Sequence, residues 1–196
     1  MLPGDPVLER IREREPVDKK DLEILVRSRE RALAWVESGR VHTDLGLAYL
    51  LLARQTDEAG GFDRERARKA VASVREGLAR APASPHAWAR LAYAELVAQG
   101  PSPTVARALD MSLRTAPFEP RLTRVRVELA LLAWPFLTTP TRRLVGDQIR
   151  LAWRQARSGL VEIARHSRRD DVVRAALSVD PAALSEFEER FSKGRD

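Results

Sequence analysis

The chain has 196 residues, 44% of them hydrophobic and 32% charged, with 12 Pro, 10 Gly and no Cys. That length holds one domain or a short array of repeats around a real core, and the apolar fraction excludes an intrinsically disordered chain. Without cysteine there is no disulfide scaffold, thiolate metal site or cysteine nucleophile. The net charge is +6, and 30 of the 34 basic residues are arginine. The excess is regional: +1 over residues 1–100, +8 over 101–169 and −3 over 170–196.

The opening stretch, MLPGDPVLERIRERE, lacks the apolar run of a secretory signal. The longest uncharged apolar runs, Leu45–Ala53 and Leu129–Leu137, are nine residues each. A membrane-spanning helix needs about 20. A cytoplasmic chain is expected, or a soluble piece trimmed of an upstream anchor.

Strand signals are nearly absent, whereas helix punctuation recurs. Ser84-Pro85, Ser102-Pro103, Thr139-Pro140 and Asp180-Pro181 each place a capping side chain before a proline. That pair suits the N-cap and the first helical position, where the missing N–H costs nothing. In chain order the pattern predicts helices over 5–14, 18–38 (from Asp18 to a stop at Gly39), 42–56, 63–81, 85–99 and 103–116. Further helices are predicted over 120–134, 140–166, 170–178 and 181–192, with a loop at 57–61. Apolar residues spaced by three and four support these spans, as with Ala67, Ala70, Val71, Val74, Leu78 and Ala81. The fold class is all-α, with antiparallel neighbours joined by short turns.

An internal repeat orders the middle of the chain. Gly77-Leu78-Ala79-Arg80-Ala81-Pro82 aligns with Ser112-Leu113-Arg114-Thr115-Ala116-Pro117, 35 residues later. Pro85 stands after the first as Pro120 stands after the second. Trp88, Leu91 and Ala92 mark one first helix of a hairpin, and Leu45, Gly46 and Tyr49 mark another. Ala70, Val74, Gly77 and Pro82 mark a second helix, as do Val105, Leu109, Ser112 and Pro117. On these residues, over about 39–150, the chain resembles the tetratricopeptide repeat (TPR) family of helix–turn–helix units. It departs from that pattern in the extra residues between Tyr49 and Ala70, and at Glu95, Thr123 and Arg126.

The resemblance implies a right-handed solenoid of antiparallel helix hairpins. Its parts would be N-terminal helices over 1–38 packing on the array, about three repeats over 39–166, and capping helices over 167–196. It also implies a concave groove lined by Arg40, Thr43, Leu47 and Leu50, then His86, Ala89, Tyr93 and Leu96, then Arg121, Arg124, Glu128 and Leu131. Such a groove suits a partner helix or peptide of some acidic character, provided helix 18–38 does not cover it. Ala89 and Tyr93 replace the polar clamp of chaperone-binding members. Family analogy and the Arg-heavy composition then point to a non-catalytic scaffold of a bacterial multiprotein assembly, such as an envelope or exopolysaccharide one.

Two other features bear on partners. Arg143, Arg150, Arg154 and Arg157 share one face of the predicted helix 140–166 and lead towards Arg165, Arg168 and Arg169. This stripe is either a solvated helix back or a patch for nucleic acid or another anionic polymer. Nucleic acid is the less favoured partner, since Trp153 faces the apolar side. Leu184, Phe187 and Phe191 form an apolar stripe that either caps the array or joins two copies.

Chemistry has little to stand on. His42, His86 and His166 have no ligand spacing, and nucleophile elbows and phosphate loops are absent. Asp170-Asp171 and Glu188-Glu189 fall at helix ends or exposed faces. No catalytic residue, metal or cofactor is expected.

Overall fold

The computed structural model describes residues 2–55 and 61–193. Of the loop expected at 57–61 only Gly61 lies among the described residues, and Thr56, the expected end of helix 42–56, lies outside them. The described residues are helical throughout, with no strand. They divide into two compact units, 1–100 and 101–196, so the boundary falls inside the segment 39–166 expected to hold the repeats. The first unit holds α1 (Asp5–Glu13), α2 (Lys19–Leu33), α3 (Gly39–Arg54), α4 (Arg64–Arg80) and α5 (Pro85–Gln99). The second holds α6 (Pro103–Thr115), α7 (Thr123–Leu132), α8 (Thr139–Gln155), α9 (Arg157–Ser167), α10 (Asp170–Leu177) and α11 (Pro181–Ser192). Single 3-10 turns at Pro120–Leu122 and Trp134–Phe136 flank α7.

Side-chain caps start most of these helices. Asp18 and Asp21 exchange backbone and side-chain bonds at the head of α2. The Asp63, Ser84 and Ser102 side chains each accept the N–H three residues on, and Asp180 accepts two. At α8 the cap is Thr138, one residue before the expected Thr139, so Pro140 takes the second helical position.

In the first unit α3 and α4 run antiparallel, and two glycines set their separation. A Cβ on Gly46 would lie 2.4 Å from Val74 Cγ2, and one on Gly77 would lie 2.5 Å from Thr43 Cγ2 and 2.8 Å from the Gly39 carbonyl. The backbones therefore touch where any side chain would hold them apart. Gly39, expected as a stop, instead opens α3 at this crossing. Helix α2 ends correspondingly earlier, at Leu33, and the turn to α3 leaves Trp35 89% exposed. Leu50, Ala53, Ala67, Ala70, Ala94, Val97 and Ala98 form one core between α3, α4 and α5. Glu95 is buried at the α4–α5 seam, where Arg75 and Gln99 both bond its carboxylate.

In the second unit the guanidinium of Arg126, 1% exposed, closes the end of α6. It donates to the Ser112 hydroxyl at 3.1 Å, to the Ser112 carbonyl and to the Ala116 carbonyl at 2.9 Å. A cation at a helix C-terminus, bonded to its orphan carbonyls, satisfies both groups. The expected helix 140–166 is two helices. Ala156, at φ −158° and ψ 78°, breaks it between α8 and α9. On either side of the break Trp153 of α8 and Leu160 and Ile163 of α9 are buried, while Ala156 itself is exposed. The expected helix 120–134 is likewise shortened to α7 between its two 3-10 turns. Phe187 and Phe191 are buried, Phe187 edge-on to Trp153 at 6.0 Å. They therefore seat α11 on its own unit, while Leu184 of the same stripe is half-buried.

Replacing Gly77 by Val is expected to lower stability by about 1–3 kcal/mol or more, because the clash is with backbone that cannot swing aside. Arg126→Ala is expected to cost about 2–4 kcal/mol, and Arg126→Lys to recover little, since one ammonium does not reproduce the planar fork. Chemical denaturation monitored by circular dichroism measures both.

Candidate functional site

Two of the arginines expected to form one stripe face solvent on α8. Arg143 and Arg154 are exposed, and neither has an ion-pair partner among the described residues. Arg150, between them, pairs with Asp147 at 2.5 Å and donates to the Ala176 carbonyl at 3.1 Å, at the end of α10. Beyond the break at Ala156 the stripe does not continue. Arg157 pairs with Glu186 of α11 at 3.1 Å and lies 5.6 Å from the Trp153 ring. Arg165 donates to the Arg190 and Phe191 carbonyls at 2.8 Å and covers the Phe191 ring. Those two residues hold α11 in place. Arg168 ends α9 in a left-handed conformation, and Arg169 reaches Asp171 at 3.5 Å.

Beside the solvent-facing part of α8 lies a cleft of about 260 Å³, closed on its other side by the turn from α6 to α7. Leu113, Leu144 and Leu151 supply apolar wall, and Arg150 and Arg154 stand at the same cleft. Gln148 fixes the turn: its Nε2 donates to the Pro117 carbonyl at 2.7 Å, while its buried Oε1 has no partner. The next residue, Phe118, is 85% exposed. The exposed Phe118 ring thus stands beside an apolar wall and two guanidiniums, Arg150 paired with Asp147 and Arg154 without an ion-pair partner among the described residues.

The expected groove is distributed differently. In the first unit Thr43, Leu50 and Ala89 are buried. Thr43 bonds the Arg40 carbonyl at 2.9 Å, and Leu50 belongs to the core of α3, α4 and α5. The small residues at this seam bring the helices close enough to enclose positions that a wider spacing would open. Leu47 is half-buried against the aliphatic residues of α1 and α2, so the N-terminal helices cover it. Tyr93 packs on the core, with the Arg54 guanidinium 5.4 Å from its ring centre. His86 and Leu96 are half-buried, and Arg40 is exposed. In the second unit Leu131 is buried and Arg121 exposed. Arg124 and Glu128 line a separate cleft of about 200 Å³ with Glu162 and His166, where Arg124 pairs with Glu162 at 3.1 Å.

A cluster of charges in the first unit escaped the sequence reading. Asp44 on α3 is 7% exposed, and Arg29 on α2 is 2% exposed. Arg29 Nε stands 3.9 Å from the Asp44 carboxylate, Arg40 and Arg90 stand 4.0 Å from it, and Arg29 donates to Asp5 of α1 at 2.7 Å. Burial raises the Asp44 carboxyl above its ordinary value in spite of these three arginines. Burial also lowers the Arg90 guanidinium. At Asp5 burial alone would raise the carboxyl, but the Leu2 N–H and Arg29 together outweigh it and hold it below its ordinary 3.8. The available signal was a charged residue on the apolar stripe of α2, Leu22–Leu25–Arg29, with an acid on the apolar stripe of α3.

No group of three or more His, Cys, Asp or Glu among the described residues is arranged to hold a metal ion. No described helix is long and apolar enough to cross a membrane. Comparison with family models, curated proteins and solved structures finds no match to this chain.

The shift at Asp5 has a definite sign. A carboxyl held below its ordinary value in the folded state contributes stability that is present above 3.8 and lost as pH falls through the lowered value. Asp44 acts oppositely, favouring the folded cluster as it takes up a proton. The amide signals of Val7 and Leu8 are therefore expected to show α1 docked at neutral pH and loosening below about pH 4. Asp5→Asn should flatten that dependence while leaving the Asp44 transition in place. NMR titration of both proteins measures it.

Proposed function

We propose that the protein is a non-catalytic interaction module of paired helices, TPR-like in its first unit, that holds an acidic segment of a partner protein. The observation that carries this reading is the cleft between the α6–α7 turn and α8, with Phe118 exposed, Leu113, Leu144 and Leu151 as wall, and Arg150 and Arg154 alongside. A partner segment with one aromatic or aliphatic side chain and neighbouring carboxylates matches that chemistry on both counts. The arginine-rich composition supports a setting in a bacterial multiprotein assembly, within the cytoplasm.

A second reading, capture of nucleic acid or another anionic polymer along α8, draws on the exposed, unpaired Arg143 and Arg154. It is weakened by Arg157 and Arg165, whose charges are committed to α11. Salt separates the two readings, because a polymer that sheds counterions binds with a steep log–log salt slope.

Selection from a random peptide library against the whole protein tests the proposal. Enriched peptides are expected to combine acidic residues with one large apolar side chain. Phe118→Ala and Arg154→Glu are each expected to weaken them by about tenfold or more, equivalent to about 1.4 kcal/mol. Peptides that bind both variants as well as the wild type would overturn the assignment of this cleft. Binding of single-stranded DNA or RNA with a steep salt slope, in place of peptide, would favour the second reading.

A further inference from the structure

Helix α1 is lightly secured in the first unit. It has nine residues, fewer than the about 12–15 that hold a helix together in water without tertiary support. It has no side-chain cap, and it ends at Arg14, whose φ of 62° is the left-handed region that a side chain disfavours. Val7 and Leu8 are its buried side chains, and they pack on Leu25 of α2 and Ala48 of α3, with Ile11 half-buried at the edge. Its polar ties are few: Asp5 to Arg29 at 2.7 Å, the Gly4 N–H to the Ser28 hydroxyl at 3.1 Å, and Arg10 to Asp21 at 2.6 Å on the exposed side.

The surface beneath is built far more firmly than the helix on it. Leu22 and Leu25 of α2 and Ala48 of α3 are fully buried. Arg29 is fixed between Asp5 and Asp44, and its Nε has no hydrogen-bond partner. With α1 lifted away, this becomes an apolar strip with a guanidinium at one end, already oriented and short of a carboxylate. Nor does α1 fill the place it occupies. A cavity of about 490 Å³ opens beside it, lined by Leu8 and Arg12 of α1 and by Arg40, Val41 and Asp44 of α3.

We propose that the α2–α3 face is a helix-docking site, that α1 is its internal and displaceable occupant, and that its external ligand is an amphipathic helix of the same chemistry. That helix carries a carboxylate in its first turn for Arg29, and aliphatic side chains two and three residues later, as Asp5, Val7 and Leu8 do. Larger side chains on the flank facing α3 fill the cavity that α1 leaves. The α1 segment thus both displays the ligand's pattern and lowers its apparent affinity, because a ligand sees only the fraction of molecules with the site open. This site is independent of the cleft at α8 and stands or falls separately.

The test uses the full chain and a fluorescent peptide spanning residues 2–18 of this sequence, added in trans, with binding read by fluorescence anisotropy. Weak binding to the wild type is expected. Leu8→Ala in the protein loosens α1 without touching the docking face, and is expected to tighten peptide binding by about tenfold or more. A peptide with Asn in place of Asp5 is expected to lose about tenfold on the Leu8→Ala protein. Adding Arg29→Ala to that protein should abolish the preference between the two peptides. Equal affinity for wild type and Leu8→Ala would overturn the displaceable occupant. Indifference of the Leu8→Ala protein to the peptide's carboxylate would overturn the role of Arg29.

Discussion

A guanidinium or carboxylate removed from water must find compensating groups of opposite polarity, and that constraint governs how these helices join. Arg126 lies 1% exposed because the end of α6 supplies two carbonyls and a hydroxyl for it. Glu95 lies buried because Arg75 on the neighbouring helix and Gln99 on its own converge on it. Arg29 sits between an acid from α1 and another from α3. Each group has a directional demand that an apolar contact lacks, so the neighbouring helix settles in one register rather than sliding. Apolar burial supplies the bulk of the driving force, and the charges specify the joint.

Much of the architecture was open to reading from the sequence, because its signals are local. A serine or aspartate before a proline starts a helix through bonds confined to one turn, and small residues at Gly46 and Gly77 announce a close crossing whatever surrounds them. What escaped was decided at a distance. The apolar period of three and four runs uninterrupted through Ala156, so nothing local marks the break between α8 and α9. Only the packed structure shows it, with Trp153 at the end of α8 edge-on to Phe187 of α11. Glu95 and Arg126 read as decay of the repeat pattern, whereas each is a buried polar joint. Asp44 and Arg29 drew no notice in the sequence, and only the packing of α1, α2 and α3 brings them together.

The candidate sites were legible to a smaller degree, for a related reason. Spacing places a residue on a helix face, but whether that face meets water depends on how near the next helix comes. Alanines at the α3–α5 seam draw the helices together and enclose Leu50 and Ala89, which a repeat pattern alone assigns to an open groove. Arginines of the expected stripe diverge in the same way. Arg154 remains in solvent, and Arg165 is consumed by carbonyls of α11. Surface available for a partner is what internal joints leave over, and it becomes visible only once those joints are known.

The choice of arginine at the joints has a consequence for how the molecule meets strong base. A guanidinium keeps its proton far beyond the range in which an amine loses it, and the chain has only four lysines to lose. The Tyr49 phenol, half-buried and bonded to Glu30, is pushed up to about 12 and so keeps its proton too. Alkali therefore finds little to discharge, whereas acid neutralises the Asp5 carboxylate that ties α1 to Arg29. The molecule is armoured on one side of neutrality and open on the other, an asymmetry written into its preference for Arg over Lys.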